Sequence, residues 1–354
     1  MKLSQQLKFW LIIGVFGACV TSCTDKPTID PLLTPVINPD GGLYILNEGN
    51  FQSANASIDY IDFKSQQYFS NAFEAKNSRP LGDVLQSMSH MGNNGYLVIN
   101  NSKKIEVVNM SDLSSIATIE GFKSPRYFYA LNPQKAYVTE YYNGGIKLVN
   151  LTSNTIAGTI PVEGNLEEML NVDGKLYVTN ANKRFLYIIN TISDVVMDSI
   201  ALPFGSNSIV RDFNKKLWVL CSGKDGAVPE FGALVKINAD ADTIEQIFTL
   251  PRESGHGPIK LRIDAAGRTL YWINRHIYRH QVISAQLNLA PWIDAYTNTN
   301  YWALRCDSLT NEVYVADAID YMQRSLIQRY NSNGELKGFF KAGTITGDFY
   351  FYYR

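Results

Sequence analysis

The sequence predicts an all-β chain folded as a single seven-bladed β-propeller of four-stranded blades. Three observations carry that prediction: one short strand recurs seven times, the recurrences are almost evenly spaced, and the two ends complete each other. The strand reads Leu43-Tyr44-Ile45-Leu46-Asn47, then Tyr96-Leu97-Val98-Ile99-Asn100, Ala136-Tyr137-Val138-Thr139-Glu140 and Leu176-Tyr177-Val178-Thr179-Asn180. It continues as Leu217-Trp218-Val219-Leu220-Cys221, Leu270-Tyr271-Trp272-Ile273-Asn274 and Val313-Tyr314-Val315-Ala316-Asp317. Second positions fall at 44, 97, 137, 177, 218, 271 and 314, with spacings of 53, 40, 40, 41, 53 and 43 residues. A strand period near 40 residues is the signature of four-stranded blades arranged around an axis.

Residues 1–22 stand apart from this pattern. Lys2 and Lys8 precede an apolar run from Phe9 to Phe16, too short to span a bilayer and matching an export leader. Val20-Thr21-Ser22-Cys23 closes it like a bacterial lipobox, so Cys23 is the expected lipidated N-terminus of the mature chain. Residues 23–40 carry Pro27, Pro31, Pro35 and Pro39 at regular spacing and read as an extended tether. The folded body is then residues 41–354. With no later apolar stretch of membrane-spanning length, the lipid is the expected anchor.

Within each repeat the strand is followed by a polar turn and a second strand, such as Ile105–Asn109, Ile146–Asn150 or Leu186–Asn190. A third strand follows, as in Ile156–Ile160 and Val195–Ile200, and a less regular one precedes each anchor, as in Tyr127–Leu131 and Ser208–Asp212. The first repeat lacks that preceding strand, while the C-terminus ends on an unmatched one, Gly347–Tyr352. Pairing the last strand with the first repairs both and removes an open sheet edge.

Composition limits the function. The chain is 45% hydrophobic, 12% aromatic and 18% charged, with 32 basic against 33 acidic residues, which excludes a disordered chain and disfavours phosphate-driven nucleic-acid binding. Loss of the leader removes two lysines and leaves a net charge of −3. Cys221 and Cys306 belong to non-adjacent repeats, so no disulfide is expected between them. His276 and His280 lie on a strand about 13 Å apart, too far to share a metal, and read as surface or packing residues. No HExxH, CxxC, P-loop or GxSxG motif occurs.

Tyr177-Val178-Thr179-Asn180 is the tetrapeptide for which the YVTN propeller repeats are named. The opening Leu43–Phe51, with Asn55-Ala56-Ser57 after it, resembles the first blade of propeller lipoproteins from Gram-negative gut commensals. That resemblance implies a cell-surface protein, lipid-anchored in the outer membrane, which captures vitamin B12 or a related corrinoid. It also implies delivery to a TonB-dependent outer-membrane transporter, with no resident cofactor.

The fifth position of the repeated strand is Asn47, Asn100, Glu140, Asn180, Cys221, Asn274 and Asp317. Either these residues start turns by hydrogen-bonding nearby backbone, or they face a ligand. The loops after them share one face with the loops entering the inner strands. The ligand-contact candidates on that face are Phe51, Asn101, Arg126, Tyr141, Tyr142, Asn182, Asn207, Lys224, His256, Arg275, Trp302 and Tyr321. Aromatics and amides suit a large ligand with an apolar body and amide groups, and a corrinoid is one such ligand. An oligosaccharide or a partner protein would be served by the same inventory. The expected activity is binding without catalysis; the alternatives are a propeller hydrolase such as a lactonase, and a structural or adhesive propeller.

Overall fold

The computed structural model of the chain describes residues 40–353. Cys23, the leader and the tether up to residue 39 lie outside the described residues. Seven antiparallel sheets follow one another around a ring, six with four strands and one with three. From the axis outward, blade 1 consists of Thr346–Tyr353, Gly41–Asn47, Ser57–Asp62 and Gln67–Phe69. Blades 2 to 5 start at the axis with Leu85–Met91, Pro125–Asn132, Leu166–Val172 and Ser206–Arg211. Blades 6 and 7 start with Ile259–Ile263 and Tyr301–Cys306. Each innermost strand packs on its counterparts in the two neighbouring blades, which closes the ring around a channel.

The repeated motif is the second strand of every blade, and its apolar run is explained by where alternate side chains go. Leu43 and Ile45 face blade 7, whereas Tyr44 and Leu46 face blade 2. Successive residues of a strand point to opposite faces, so a strand sandwiched between blades must be apolar at every position. The core accordingly divides into seven clusters, one in each gap between neighbouring blades. Cys221 and Cys306 are free thiols buried in two different gaps.

Closure follows the expectation. The terminal strands pair antiparallel from Gly41 opposite Tyr353 to Asn47 opposite Thr346. Two local features depart from the regular pattern. Blade 6 has three strands, not four, because residues 282–300, with Asn288, Pro291, Asn298 and Asn300 among them, form turns. A single isolated bridge, Ile277 to Ile293, and a hydrogen bond from Ala295 N to His276 Nδ1 hold that segment against the blade edge, with Trp292 packed on Tyr271 at 5.0 Å. A short helix, Ala72–Asn77, occupies the link from blade 1 to blade 2 and buries Phe73, which lengthens the first spacing. Among the described residues no helix is long and apolar enough to cross a membrane.

Candidate functional site

The fifth positions of the repeated strand are structural. Asn180 donates to Glu163 O at 2.8 Å and accepts from Asn165 N, tying down the loop that enters its own blade. Asn274 does the same to Pro251 O and Glu253 N, and Glu140 accepts from Lys123 N and Ser124 N. Asn100 reaches the loop entering the next blade, at Ser124 and Pro125. All four amide or carboxylate groups are therefore spent on the loops entering inner strands, chiefly on their backbone, with Asn100 also donating to Ser124 Oγ.

The channel mouth is built by a different device. On the innermost strands the pairing register slips at the same end of each blade. The slips fall between Leu85 and Ser87, Pro125 and Phe128, and Leu166 and Met169. They recur between Ser206 and Ser208, Ile259 and Arg262, and Tyr301 and Ala303. In blade 1 the slip between Leu46 and Asn47 leaves Gly347 unmatched. A bulge turns the extra residue out of the ladder and re-aims its side chain. Here the extra residues include Gln86, Arg126, Glu167, Asn207, Lys260 and Trp302, and all six line one cavity of about 180 Å3.

Hydrogen-bond donors and acceptors are interspersed around that cavity. Arg126 is fixed by Glu167 on the next blade, Nε to Oε2 at 2.9 Å and Nη2 to Oε1 at 2.8 Å, and its Nη1 donates to Gln86. Burial pushes the Glu167 carboxyl above the usual carboxylate range, against the pull of Arg126. Asn207 donates to Ser222 Oγ at 2.8 Å and Pro258 O at 2.9 Å, and its own oxygen accepts from Ser208. Trp302 donates Nε1 to Glu48 at 3.0 Å, and two rings meet it edge-on, His256 at 5.1 Å and Tyr321 at 5.6 Å.

Below the mouth lies a second cavity of about 180 Å3, sharing Tyr127 and Glu168 as its wall. Burial raises the Tyr127 phenol well above its usual range, with Glu168 and Glu167 adding to it, so it stays neutral. Arg262 pairs with Glu168 at 2.8 Å, and Arg305 with Asp348 at 2.7 Å. Burial opposes ionisation of Asp348, but Arg305, Arg262 and Lys260 together hold it below the usual carboxylate range.

Four sequence candidates line the upper cavity: Arg126, Asn207, His256 and Trp302. Two more touch them from outside, Tyr141 under the Arg126 guanidinium at 5.1 Å and Tyr321 against Trp302. The other six lie off the cavity. Asn101 gives its amide to Asp83, Asn182 accepts from Asn165 N, and Lys224 pairs with Glu230. Arg275 is exposed, as are Phe51 at 65% and Tyr142 at 70% on the surrounding rim. Sequence reasoning missed Gln86, Glu167, Glu168 and Lys260 as site residues. Their signal was a pair of inward residues where strand alternation should give one, as in Glu167-Glu168. Among the described residues no serine, threonine or cysteine hydrogen-bonds a histidine, and no cluster of three His, Cys, Asp or Glu is placed to hold a metal.

Comparison with protein families finds one model spanning residues 41–352, described as a domain of unknown function, DUF5074. The chain belongs to the DUF5074 family. No curated protein matches this DUF5074 chain. A quinoprotein alcohol dehydrogenase-like protein of Bacteroides thetaiotaomicron has the same fold at a TM-score of 0.71, with 16% identity over 88% of this chain and 78% of that one. A candidate 6-phosphogluconolactonase of Bacteroides fragilis superposes at a TM-score of 0.64, with 12% identity over 90% of this chain and 99% of that one. A candidate 6-phosphogluconolactonase of Bacteroides uniformis gives 0.64, with 14% identity over 88% and 100% of the two chains. At such identities the likeness establishes the fold of this DUF5074 chain and nothing about its chemistry.

Proposed function

We propose that this protein is a surface-anchored binding propeller that captures a corrinoid at the channel mouth and hands it to a TonB-dependent outer-membrane transporter. In this reading Cys23 carries the lipid, residues 24–40 are the tether, and the transporter is the protein partner. The observation that carries the binding role is the bulge in every blade, which aims Gln86, Arg126, Glu167, Asn207, Lys260 and Trp302 into one cavity. Donors and acceptors are interspersed there beside flat aromatic edges, which complements a macrocycle fringed with amides. A cavity of about 180 Å3 admits the fringe of such a ligand and leaves its body across the rim, where Phe51 and Tyr142 stand exposed. The sequence resemblance of residues 43–57 supports the corrinoid as the ligand.

Titration with cyanocobalamin tests the proposal. A red complex of one ligand per chain should co-elute from gel filtration, and calorimetry should show saturable heat. Absence of both overturns the corrinoid reading. The hydrolase alternative draws on two fold relatives described as candidate lactonases, and turnover of a phosphorylated sugar lactone by purified protein would favour it over capture.

A further inference from the structure

Blade 1 is the one blade whose unmatched mouth residue has no side chain, Gly347. Two side chains from elsewhere converge on that gap. Lys260, from the bulge of blade 6, donates Nζ to Gly347 O at 2.7 Å. Glu48, from the loop after the second strand of blade 1, packs over the same glycine; a Cβ there would lie 2.2 Å from Glu48 Oε1. Both side chains line the mouth cavity.

Each is incompletely used. Glu48 accepts from Trp302 Nε1 with Oε1, and its Oε2 accepts nothing among the described residues. Lys260 has one of three N–H bonds engaged, and no carboxylate among the described residues is within ion-pairing distance of Nζ. Its backbone sits at φ 59°, a conformation that costs about 1 kcal/mol or more in a non-glycine residue and is kept where it aims a side chain. Burial pushes the Lys260 ammonium below the usual lysine range, which Asp348 and Glu48 oppose, so an added acceptor would relieve a desolvated charge.

The other charges on the cavity wall are matched: Arg126 with Glu167, and Glu168 with Arg262. Among the charged side chains of the wall, Lys260 and Glu48 are left without an ion-pair partner, both beside Gly347, with no net charge between them. A carboxylate entering there would gain Lys260 and meet repulsion from Glu48, and an ammonium would suffer the reverse. A neutral group that both accepts and donates satisfies both.

We propose that Lys260 and Glu48 form a subsite for a primary carboxamide of the ligand, its carbonyl oxygen accepting from Lys260 Nζ and its N–H donating to Glu48 Oε2. This rests on the corrinoid reading and names the group by which the ligand is recognised. The subsite selects the intact amide over the corresponding acid. Its test uses cyanocobalamin and the cobalamin monocarboxylic acids, in each of which one side-chain amide is hydrolysed. Wild-type protein should bind at least one of these acids about 10-fold or more weakly than cyanocobalamin. Glu48→Gln should narrow that gap to within about 3-fold, and Lys260→Met should weaken cyanocobalamin itself about 10-fold. Thermal melts of both variants within a few degrees of wild type exclude misfolding as the cause. If every acid binds like cyanocobalamin, or if Glu48→Gln leaves the ratio unchanged, the subsite is wrong while capture stands. If cyanocobalamin does not bind wild type at all, the capture reading fails and the subsite with it.

Discussion

Arg126 and Glu167 join the innermost strands of neighbouring blades by two parallel hydrogen bonds, at 2.9 and 2.8 Å, on the wall of the channel mouth. A planar guanidinium matches a carboxylate in two places at once, which fixes the geometry of both. The Glu167 side chain is 8% exposed and that of Arg126 23%, so removal of one leaves the other poorly solvated and without its hydrogen-bond partner. Arg126→Ala should destabilise the protein by about 3 kcal/mol in urea unfolding. The Arg126→Ala/Glu167→Ala double variant should lose less than the sum of the two single losses. Strict additivity in that double-mutant cycle would mean the pair is not coupled.

A second prediction concerns pH. His280 is 4% exposed, packed edge-on between Trp218 at 5.6 Å and Phe248 at 5.0 Å. Burial, and to a lesser degree the nearby Lys236, push its imidazole down to about 4. The unfolded chain takes up a proton near pH 6.5, so between about pH 6.5 and 4 it binds a proton that the folded chain does not. Stability should therefore fall as pH drops through that window, by at most about 3 kcal/mol from this group. His280→Leu should flatten that part of the curve in urea unfolding from pH 7.5 to 4.5. An unchanged slope would place the titration elsewhere.

The tyrosine of the repeated strand does more than fill the gap between blades. Tyr137 of blade 3 donates to Asp194 at 2.6 Å in a turn of blade 4, and Lys135 holds the same carboxylate at 2.6 Å. One blade further on, Tyr177 and Lys175 grip Asp242 in the same way. Tyr137→Phe and Tyr177→Phe should each cost about 1–1.5 kcal/mol, and their effects should add because they act at different interfaces. Tyr314, at the same position in blade 7, is buried against Phe349 and Phe351, and among the described residues its side chain makes no hydrogen bond. Tyr314→Phe should fall within about 0.5 kcal/mol of wild type. A loss at Tyr314 equal to that at Tyr137 would contradict the latch.

How much of this was legible in the sequence depends on the range of the interaction. Leu43–Asn47 and its six repeats announce themselves because a strand buried on both faces must be apolar throughout. The closing strand was legible from counting strands alone. Blade 6 lost its fourth strand in residues 282–300, where Asn288, Pro291, Asn298 and Asn300 let turn formation compete with pairing. The mouth was only half legible. Arg126, Trp302, Gln86 and Lys260 all enter the cavity through bulges, and a bulge is defined by the partner strand, not by its own residues; Arg126 and Trp302 also follow recognisable loop signals, whereas Gln86 and Lys260 do not. Asn101 and Asn182 looked available because their acceptors and donors, Asp83 and Asn165, are brought to them by the loop entering each inner strand.

The last prediction concerns the closure of the ring, where Gly41–Asn47 pairs with Thr346–Tyr353. Gly41 opens the N-terminal strand at φ 138°, and a Cβ on it would lie 2.1 Å from Tyr352 O, on the strand that completes blade 1. Backbone cannot swing aside as a side-chain tip can, so the added carbon must push the two strands apart. Gly41→Ala should therefore cost about 2–4 kcal/mol, more than the conformational term alone. Gly92 supplies the contrast: its φ of 58° is also left-handed, yet nothing lies within 4 Å of the added carbon. Gly92→Ala should cost only about 1 kcal/mol. The two variants should also differ in where they loosen. Hydrogen exchange in Gly41→Ala should quicken first in Thr346–Tyr353, which carries Asp348 into the channel, so ligand affinity should fall with it. Uniform quickening across all blades would show that the ring yields as a whole and that its closure is not the weak seam.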